Sequence, residues 1–191
     1  MSRLARVVVP GLPHHVTQRG NRRGQIFFEP GDYGVYCDLL ALYARRHAVA
    51  VWAYCLMPNH VHLILVPSEA VGLALTVGGA HRRFASVVMD ERHLFAAIRY
   101  VSLNPVRAKL VARADEWPWS SVRAHLAGKN DRLVVVEPVL RRMPDFMEQM
   151  ASGAADDGAF WDLRRAETSG RPLGDRVFVA ELEQRLGRAL R

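Results

Sequence analysis

Residues 56–63, Leu-Met-Pro-Asn-His-Val-His-Leu, join two segments that have the composition of β-strands. Residues 49–56 are β-branched and aromatic, and residues 60–66 continue the same apolar pattern after a break. Met57-Pro58-Asn59 is the kind of tripeptide that forms a turn. The stretch therefore predicts an antiparallel β-hairpin at the centre of the fold.

The hairpin carries two histidines, His60 and His62, two positions apart. Successive side chains of a strand alternate between its faces, so both imidazoles should lie on one face, with Val61 and Leu63 on the other. Adjacent imidazoles can supply two ligands to a metal ion. The alternative is that both are polar residues on the wet face of an amphipathic strand, and the His-x-His pattern alone leaves that open.

The remaining periodicities place the hairpin among helices and further strands. In the first strand, His15 and Thr17 should share one face, with Val16 and Gln18 on the other. The predicted strands are residues 14–19, 49–56, 60–66 and a short one within 84–89. The predicted helices are residues 32–47, residues 70–84, a helix capped by Asp90 that Pro105 ends at or near Asn104, a short helix opened by residues 117–121, and a C-terminal amphipathic helix carrying Phe178, Leu182, Leu186 and Leu190. This order predicts an α+β fold, an antiparallel sheet with helices on one face.

Composition points to a polyanionic partner. The 191 residues carry a formal net charge of +7, and half of them are hydrophobic, which suffices for a core. Nucleic acid is the commonest polyanion for such a protein, although a merely basic soluble protein would look the same. Cys37 and Cys55 are predicted to be buried free thiols. No signal peptide or membrane-spanning stretch is recognisable, so we expect a cytoplasmic protein that does not bind membranes.

A second pair of chemically capable residues lies on the helix that starts after Asp90. Tyr100 and Asn104 are four residues apart, so their side chains share a helix face. A tyrosine can act as a covalent nucleophile, and an asparagine oxygen can bind a hard metal ion. Without other context, a half-buried tyrosine and a helix-ending asparagine before Pro105 explain the pattern equally well.

Five segments, in order, resemble the REP-associated tyrosine transposases, which belong to the single-tyrosine HUH transposases. The segments are residues 10–21 (Pro-Gly-Leu-Pro-His-His-Val-Thr-Gln-Arg-Gly-Asn), 56–63, 99–108 (Arg-Tyr-Val-Ser-Leu-Asn-Pro-Val-Arg-Ala), 117–121 (Trp-Pro-Trp-Ser-Ser) and the tail from 170–174 (Gly-Arg-Pro-Leu-Gly) onward. Together they extend over most of the chain. The resemblance implies a ferredoxin-like HUH nuclease fold in residues 1–127, followed by a C-terminal extension, residues 128–191, with a linker at 153–158.

The resemblance also implies a chemistry. His60, His62 and Asn104 would hold a divalent ion, Mg²⁺ or Mn²⁺, and Tyr100 would attack single-stranded or hairpin DNA to form a 5′-phosphotyrosine. A phenol is a weak nucleophile at neutral pH, and a metal that polarises the phosphate would compensate. The arginines expected to contact DNA are Arg19, Arg22, Arg23, Arg82, Arg83 and Arg107. A monomer is favoured, although other single-tyrosine HUH transposases act as dimers.

One segment departs from the family pattern. Family members carry a longer stretch between the histidine strand and the tyrosine helix, whereas here Arg82 and Arg83 run almost directly into Phe84-Ala85-Ser86. The expectation is a smaller sheet, with little regular structure from Arg82 to Ser86 and weakened activity. The alternatives to an active transposase are therefore a DNA-binding relic without catalysis and a metal hydrolase that uses water.

Overall fold

The predicted hairpin forms half of a central antiparallel sheet. The structure is a computed structural model that describes residues 7–80, 84–151 and 157–190, and in these residues the sheet has four strands in the order β2-β3-β1-β4. The strands are β1 (His14–Arg19), β2 (Val49–Met57), β3 (His60–Pro67) and β4 (Ala85–Val88). Each neighbouring pair is antiparallel. The hairpin and the strand at 14–19 are confirmed.

Helices connect these strands and follow them. Their bounds are α1 (Pro30–Arg46), α2 (Ala70–Ala80), α3 (Glu91–Arg107), α4 (Val122–Ala127), α5 (Glu137–Arg142), α6 (Phe146–Ala151), α7 (Asp157–Ser169) and α8 (Arg176–Leu186). The order β1-α1-β2-β3-α2-β4, with β1 and β3 central, is the ferredoxin-like arrangement. The predicted α+β class with an antiparallel sheet is confirmed.

Helices cover both faces of the sheet, which corrects the expectation of a single covered face. Leu40 of α1 and Leu73 of α2 share a core with Leu63 of β3, on one side. On the other side, Ile98 of α3 shares a core with Ile64. Strand alternation puts Val61, Leu63 and Leu65 on one face of β3 and Ile64 on the other, so both faces have apolar side chains that helices bury.

Helix α3 does not end before Pro105, as the sequence suggested, but continues to Arg107. Asp90 begins it as predicted, since its carboxylate accepts the His93 N–H at 2.9 Å. Proline removes only one donor, and the backbone N–H of Ala108 still reaches the Asn104 carbonyl at 2.9 Å. Asn104 therefore lies inside the helix, one turn beyond Tyr100.

The tryptophan segment protects the β2 edge of the sheet before α4 begins. The Leu56 N–H donates to the Trp119 carbonyl at 2.8 Å, and the Trp117 indole N–H donates to the Leu56 carbonyl at 3.0 Å. The Ser121 N–H donates to the Tyr54 carbonyl at 3.0 Å. These bonds use backbone groups that an open edge strand would expose to other chains.

The shortened segment before α3 still supplies a strand. Ala85 and Ser86 belong to β4 and pair with Thr17 and Val16, which confirms the short strand predicted within 84–89 and makes the expectation of little regular structure wrong for them. Arg82 and Arg83 lie outside the described residues. The ferredoxin-like unit is thus complete, although β4 has only four residues.

Residues after 128 pack onto the sheet and its helices. Leu163 of α7 shares the α3-side core with Ile98, and Leu182 of α8 packs with Val9 and Val88. The predicted linker overlaps α7, which begins at Asp157, while residues 152–156 lie outside the described chain. The division at residue 127 stays a prediction. Within the described residues, no helix is both long and apolar enough to cross a membrane.

Candidate histidine–tyrosine site

His60 and His62 lie side by side on the face of β3 that α3 covers. Their ring centroids are 4.8 Å apart, and the rings are nearly perpendicular. Across the sheet, Arg19 pairs with His60 and Thr17 pairs with His62. The strand therefore presents both imidazoles to one location, as its alternation predicted.

His15 joins this pair from β1 and was not among the residues predicted for the site. Its Nε2 is 3.0 Å from Nδ1 of His62, and the two rings are stacked with centroids 5.2 Å apart. The alternation in β1 did place His15 and Thr17 on one face. What the sequence lacked was the register, which sets Thr17 against His62 and so brings His15 next to it.

Tyr100 of α3 packs against His62 and His15. The Tyr100 ring centroid is 5.0 Å from that of His62 and 6.0 Å from that of His15, both in edge-to-face geometry. Tyr100 is 8% exposed. The stripe of Leu94, Ile98 and Val101, predicted to anchor this helix, is fully buried and fixes where the tyrosine lies.

Asn104 is buried one turn further along α3, with 8% of its surface exposed. Its Nδ2 makes no hydrogen bond within the described residues. The amide oxygen and nitrogen exchange places by a half-turn of the last side-chain bond, so a ligand oxygen can occupy that position. A buried polar atom without a partner is costly, which suggests that a bound group satisfies it.

Burial keeps the three imidazoles neutral. It lowers the pKa of His60 to about 4 and the pKa of His15 to about 3, and the charge of Arg19 adds to both effects. Burial also lowers the pKa of His62 well below its usual value, with smaller contributions from His15 and His60. Neutral imidazole is the form that binds metals.

The imidazoles of His60 and His62 and the amide of Asn104 are donors of the kinds that divalent ions accept. Nε2 of His62 is buried and makes no hydrogen bond within the described chain, and its lone pair is available in the tautomer whose Nδ1–H donates to Nε2 of His15. Nδ1 of His60 lies 2.6 Å from Oδ1 of Asn59, which directs the opposite ring nitrogen, Nε2, toward a ligand role. Across the described ranges, no group of three or more His, Cys, Asp or Glu residues is arranged to hold a metal. An ion here would therefore depend on His60, His62 and the Asn104 amide.

The predicted DNA-contacting arginines fall at two places around the site. Arg19 ends β1 beside His60, and Arg22 and Arg23 follow it in a single 3-10 turn; all three are exposed. Arg107 ends α3, and its guanidinium carbon lies 5.9 Å from the Tyr100 ring centroid. Arg82 and Arg83 lie outside the described residues.

One further arginine, on α7 of the C-terminal extension, acts on the site through its charge. Arg164 of α7 is exposed, and after burial and Arg19 its charge contributes to the low pKa of His60. Its neighbour Leu163 is buried against the α3-side core, which holds α7 in place. No local pattern indicated this proximity, because α7 and β3 are distant in the chain.

Together the βαββαβ sheet and the cluster on its α3 side define a ferredoxin-like protein with a tyrosine beside paired histidines. Among solved structures, the chain is similar to a REP-associated tyrosine transposase bound to a REP hairpin. The TM-score is 0.58 at 19% sequence identity, over 71% of this chain and 92% of that one. The chain has the fold of that transposase. No family model matches it, and no curated protein matches it.

Proposed function

We propose that this protein is a metal-dependent single-strand DNA endonuclease and strand transferase of the transposase type. The observation that carries the proposal is the position of Tyr100. Its ring centroid lies 5.0 Å from that of His62, on the face of the sheet that α3 covers. Edge-to-face packing on aromatic rings also suits a structural tyrosine, so the covalent adduct is the deciding test. The likeness of fold to a transposase bound to a REP hairpin supports hairpin or repetitive palindromic DNA as the substrate.

The proposed cleavage step is a transesterification at phosphorus. The Tyr100 hydroxyl oxygen attacks the phosphate, the new oxygen–phosphorus bond forms, and the bond to the 3′ oxygen breaks. The phenol loses its proton and the departing 3′ oxygen gains one, so the step is balanced. The 5′ phosphate stays on the tyrosine. Because one phosphate ester replaces another, a DNA hydroxyl can reverse the step and join strands without an external energy source.

The other residues of the site would bind and orient the phosphate. His60, His62 and Asn104 would hold a divalent ion, which when bound polarises the phosphate and stabilises its developing charge. Arg107 places positive charge by the Tyr100 ring and Arg19 ends β1 opposite His60, and both would position the strand.

The competing proposal is a relic that binds DNA and no longer cleaves it. The four-residue strand β4 favours the relic. It lies just before α3, the helix that carries Tyr100, so a shortened segment there can displace that helix. A displacement of that helix by about 1 Å would cost on the order of a hundredfold in rate.

Trapping the covalent intermediate separates these proposals. The full chain is incubated with a 5′-labelled and a 3′-labelled DNA hairpin bearing a single-stranded flank, with Mn²⁺ or Mg²⁺. The proposal expects a denaturation-resistant adduct carrying only the DNA on the 3′ side of the break, mapped by mass spectrometry to the peptide containing Tyr100. Binding without any adduct or cleavage would support the relic, and metal-dependent cleavage without an adduct would support a hydrolase that uses water.

A further inference from the structure

Asn59, in the turn between β2 and β3, connects the arginine loop to the histidine site. Its side-chain Nδ2 donates to the Arg23 carbonyl at 3.3 Å. Its Oδ1 lies 2.6 Å from Nδ1 of His60. Its backbone carbonyl accepts the Gly20 N–H at 3.0 Å. One residue therefore contacts both ends of the loop and the first residue of the histidine pair.

These contacts determine which nitrogen of His60 carries the proton. The Arg23 carbonyl can only accept, so the Asn59 atom that faces it must be the amide nitrogen. The amide oxygen then faces His60, and it too can only accept. Nδ1 of His60 must be the donor, and in the neutral ring Nε2 keeps its lone pair.

The loop that Asn59 holds is tightly closed. Arg22 and Arg23 have φ values of 53° and 63°, which side chains other than glycine rarely adopt. A Cβ added to Gly20 would lie 2.0 Å from the Gly24 carbonyl oxygen, so only glycine fits there. The Ile26 N–H also donates to the Pro58 carbonyl at 2.8 Å, which fastens the far end of the loop to the same turn.

We propose that Asn59 is a positioning residue. It orients Nε2 of His60 toward the metal, and it holds the loop that carries Arg22 and Arg23 at a fixed position relative to His60. The metal in this inference is the one in the proposed function, on which the inference rests. The inference deepens that function because Asn59 would connect the arginine loop to a metal ligand. Coupling of this kind is reciprocal, so any effect of DNA at the loop on ion binding at His60 is matched by an equal effect of the ion on DNA binding.

Two substitutions at Asn59 separate its two contacts. Asn59→Asp keeps an acceptor for His60 and removes the donor to Arg23, whereas Asn59→Ala removes both. Asn21→Ala, in the same exposed loop, is the matched control. Nitrogen-detected NMR of the metal-free proteins at pH 7 reports the His60 tautomer, and amide relaxation of Arg22 and Arg23 reports loop order.

The expected result is an Nδ1-protonated His60 in wild type, Asn59→Asp and Asn21→Ala, and a shift toward the Nε2-protonated form in Asn59→Ala. Loop amides should become more mobile in both Asn59 variants. Mn²⁺ affinity should fall about 10- to 100-fold in Asn59→Ala and be retained in Asn59→Asp. A His60 tautomer that Asn59→Ala leaves unchanged would overturn the inference, as would Asn59→Asp behaving like Asn59→Ala at His60.

Failure of the proposed function gives a different pattern. If wild type binds no Mn²⁺ but the tautomer and the loop respond as expected, the positioning role stands and the metal-dependent chemistry fails. If wild type binds Mn²⁺ and forms the tyrosine adduct while the tautomer ignores Asn59, the function stands and the positioning role fails.

Discussion

The Tyr100 ring meets the His62 ring edge to face, with the two planes 80° apart and the centroids separated by 5.0 Å. The two residues lie on different elements, α3 and β3, that face each other across the α3-side core. Since the packing of α3 sets this distance, the candidate nucleophile and the candidate metal ligand are held together by the fold itself.

Tyr100→Phe should abolish the covalent adduct and DNA cleavage while DNA binding stays close to wild type. The substitution removes the proposed nucleophile and keeps the ring that packs against His15 and His62. Denaturing gels with labelled hairpin DNA measure the adduct, and a gel-shift titration measures binding. Tyr43→Phe, on α1 beneath the opposite face, is the matched control and should form the adduct normally. Cleavage by Tyr100→Phe at the wild-type rate would remove Tyr100 from the mechanism.

His62→Ala should eliminate divalent-ion binding together with cleavage. Its Nε2 is buried without a hydrogen-bond partner in the described chain, and it is the atom that would bind the ion. Isothermal titration with Mn²⁺ checks this directly, independent of activity. His47→Ala, at the C-terminal end of α1, is the control and should bind Mn²⁺ as wild type does. Equal Mn²⁺ affinity in the two variants would contradict the assignment of His62.

Affinity for hairpin DNA should fall steeply as salt rises, because arginine–phosphate contacts release counterions. The double variant Arg22→Gln/Arg23→Gln should weaken binding and reduce the slope of log affinity against log salt by about 1 for each arginine that neutralises a phosphate. Arg45→Gln/Arg46→Gln, exposed at the end of α1, changes the charge equally and should leave the slope unchanged. Identical slopes for both double variants would refute the role of the loop.

Arg164→Gln should weaken DNA binding by about 1 kcal/mol, a modest effect expected for an exposed charge beside a phosphate. The adjacent Arg165 forms an ion pair with Asp162 on the same helix, so Arg165→Gln provides a control of equal charge. Fluorescence anisotropy with a labelled hairpin measures both. If Arg165→Gln has the larger effect, α7 does not present Arg164 to the substrate.

The protein should lose stability in mild acid, and His14 should account for part of the loss. Burial lowers the pKa of His14 from 6.5 to about 4. A base whose pKa is depressed by folding binds more protons when unfolded, so its contribution is intact above pH 6.5 and is lost as the pH falls toward 4. Protonation would also end its role as acceptor for the Val9 N–H, which lies 3.1 Å from Nε2.

Urea unfolding at a series of pH values tests this. His14→Gln, which can still accept from Val9, should lose less stability over the acid range than wild type, by up to about 3 kcal/mol. The same pH profile in wild type and His14→Gln would show that His14 is not responsible.

The class of the fold followed from local signals. The strand alternation of residues 49–66, the Pro-Asn turn and the Asp90 cap each depend on neighbours a few residues away, and all three are observed. Local signals erred where a boundary was set by a single proline: Pro105 was expected to end α3, but the helix continues because one missing donor does not outweigh its packing. They also missed that both faces of β3 needed helices.

Periodicity along the chain placed His60 and His62 on one face of a strand and Tyr100 and Asn104 on one face of a helix, and the resemblance to tyrosine transposases supplied their expected roles. That these two faces meet was settled only by the packing of the folded chain. The pairing of β1 with β3 brought His15 to His62, forty-seven residues away, and the packing of α7 brought the charge of Arg164 near enough to contribute to the low pKa of His62. Register and helix placement depend on contacts between segments distant in the chain, and periodicity within one segment contains no information about them.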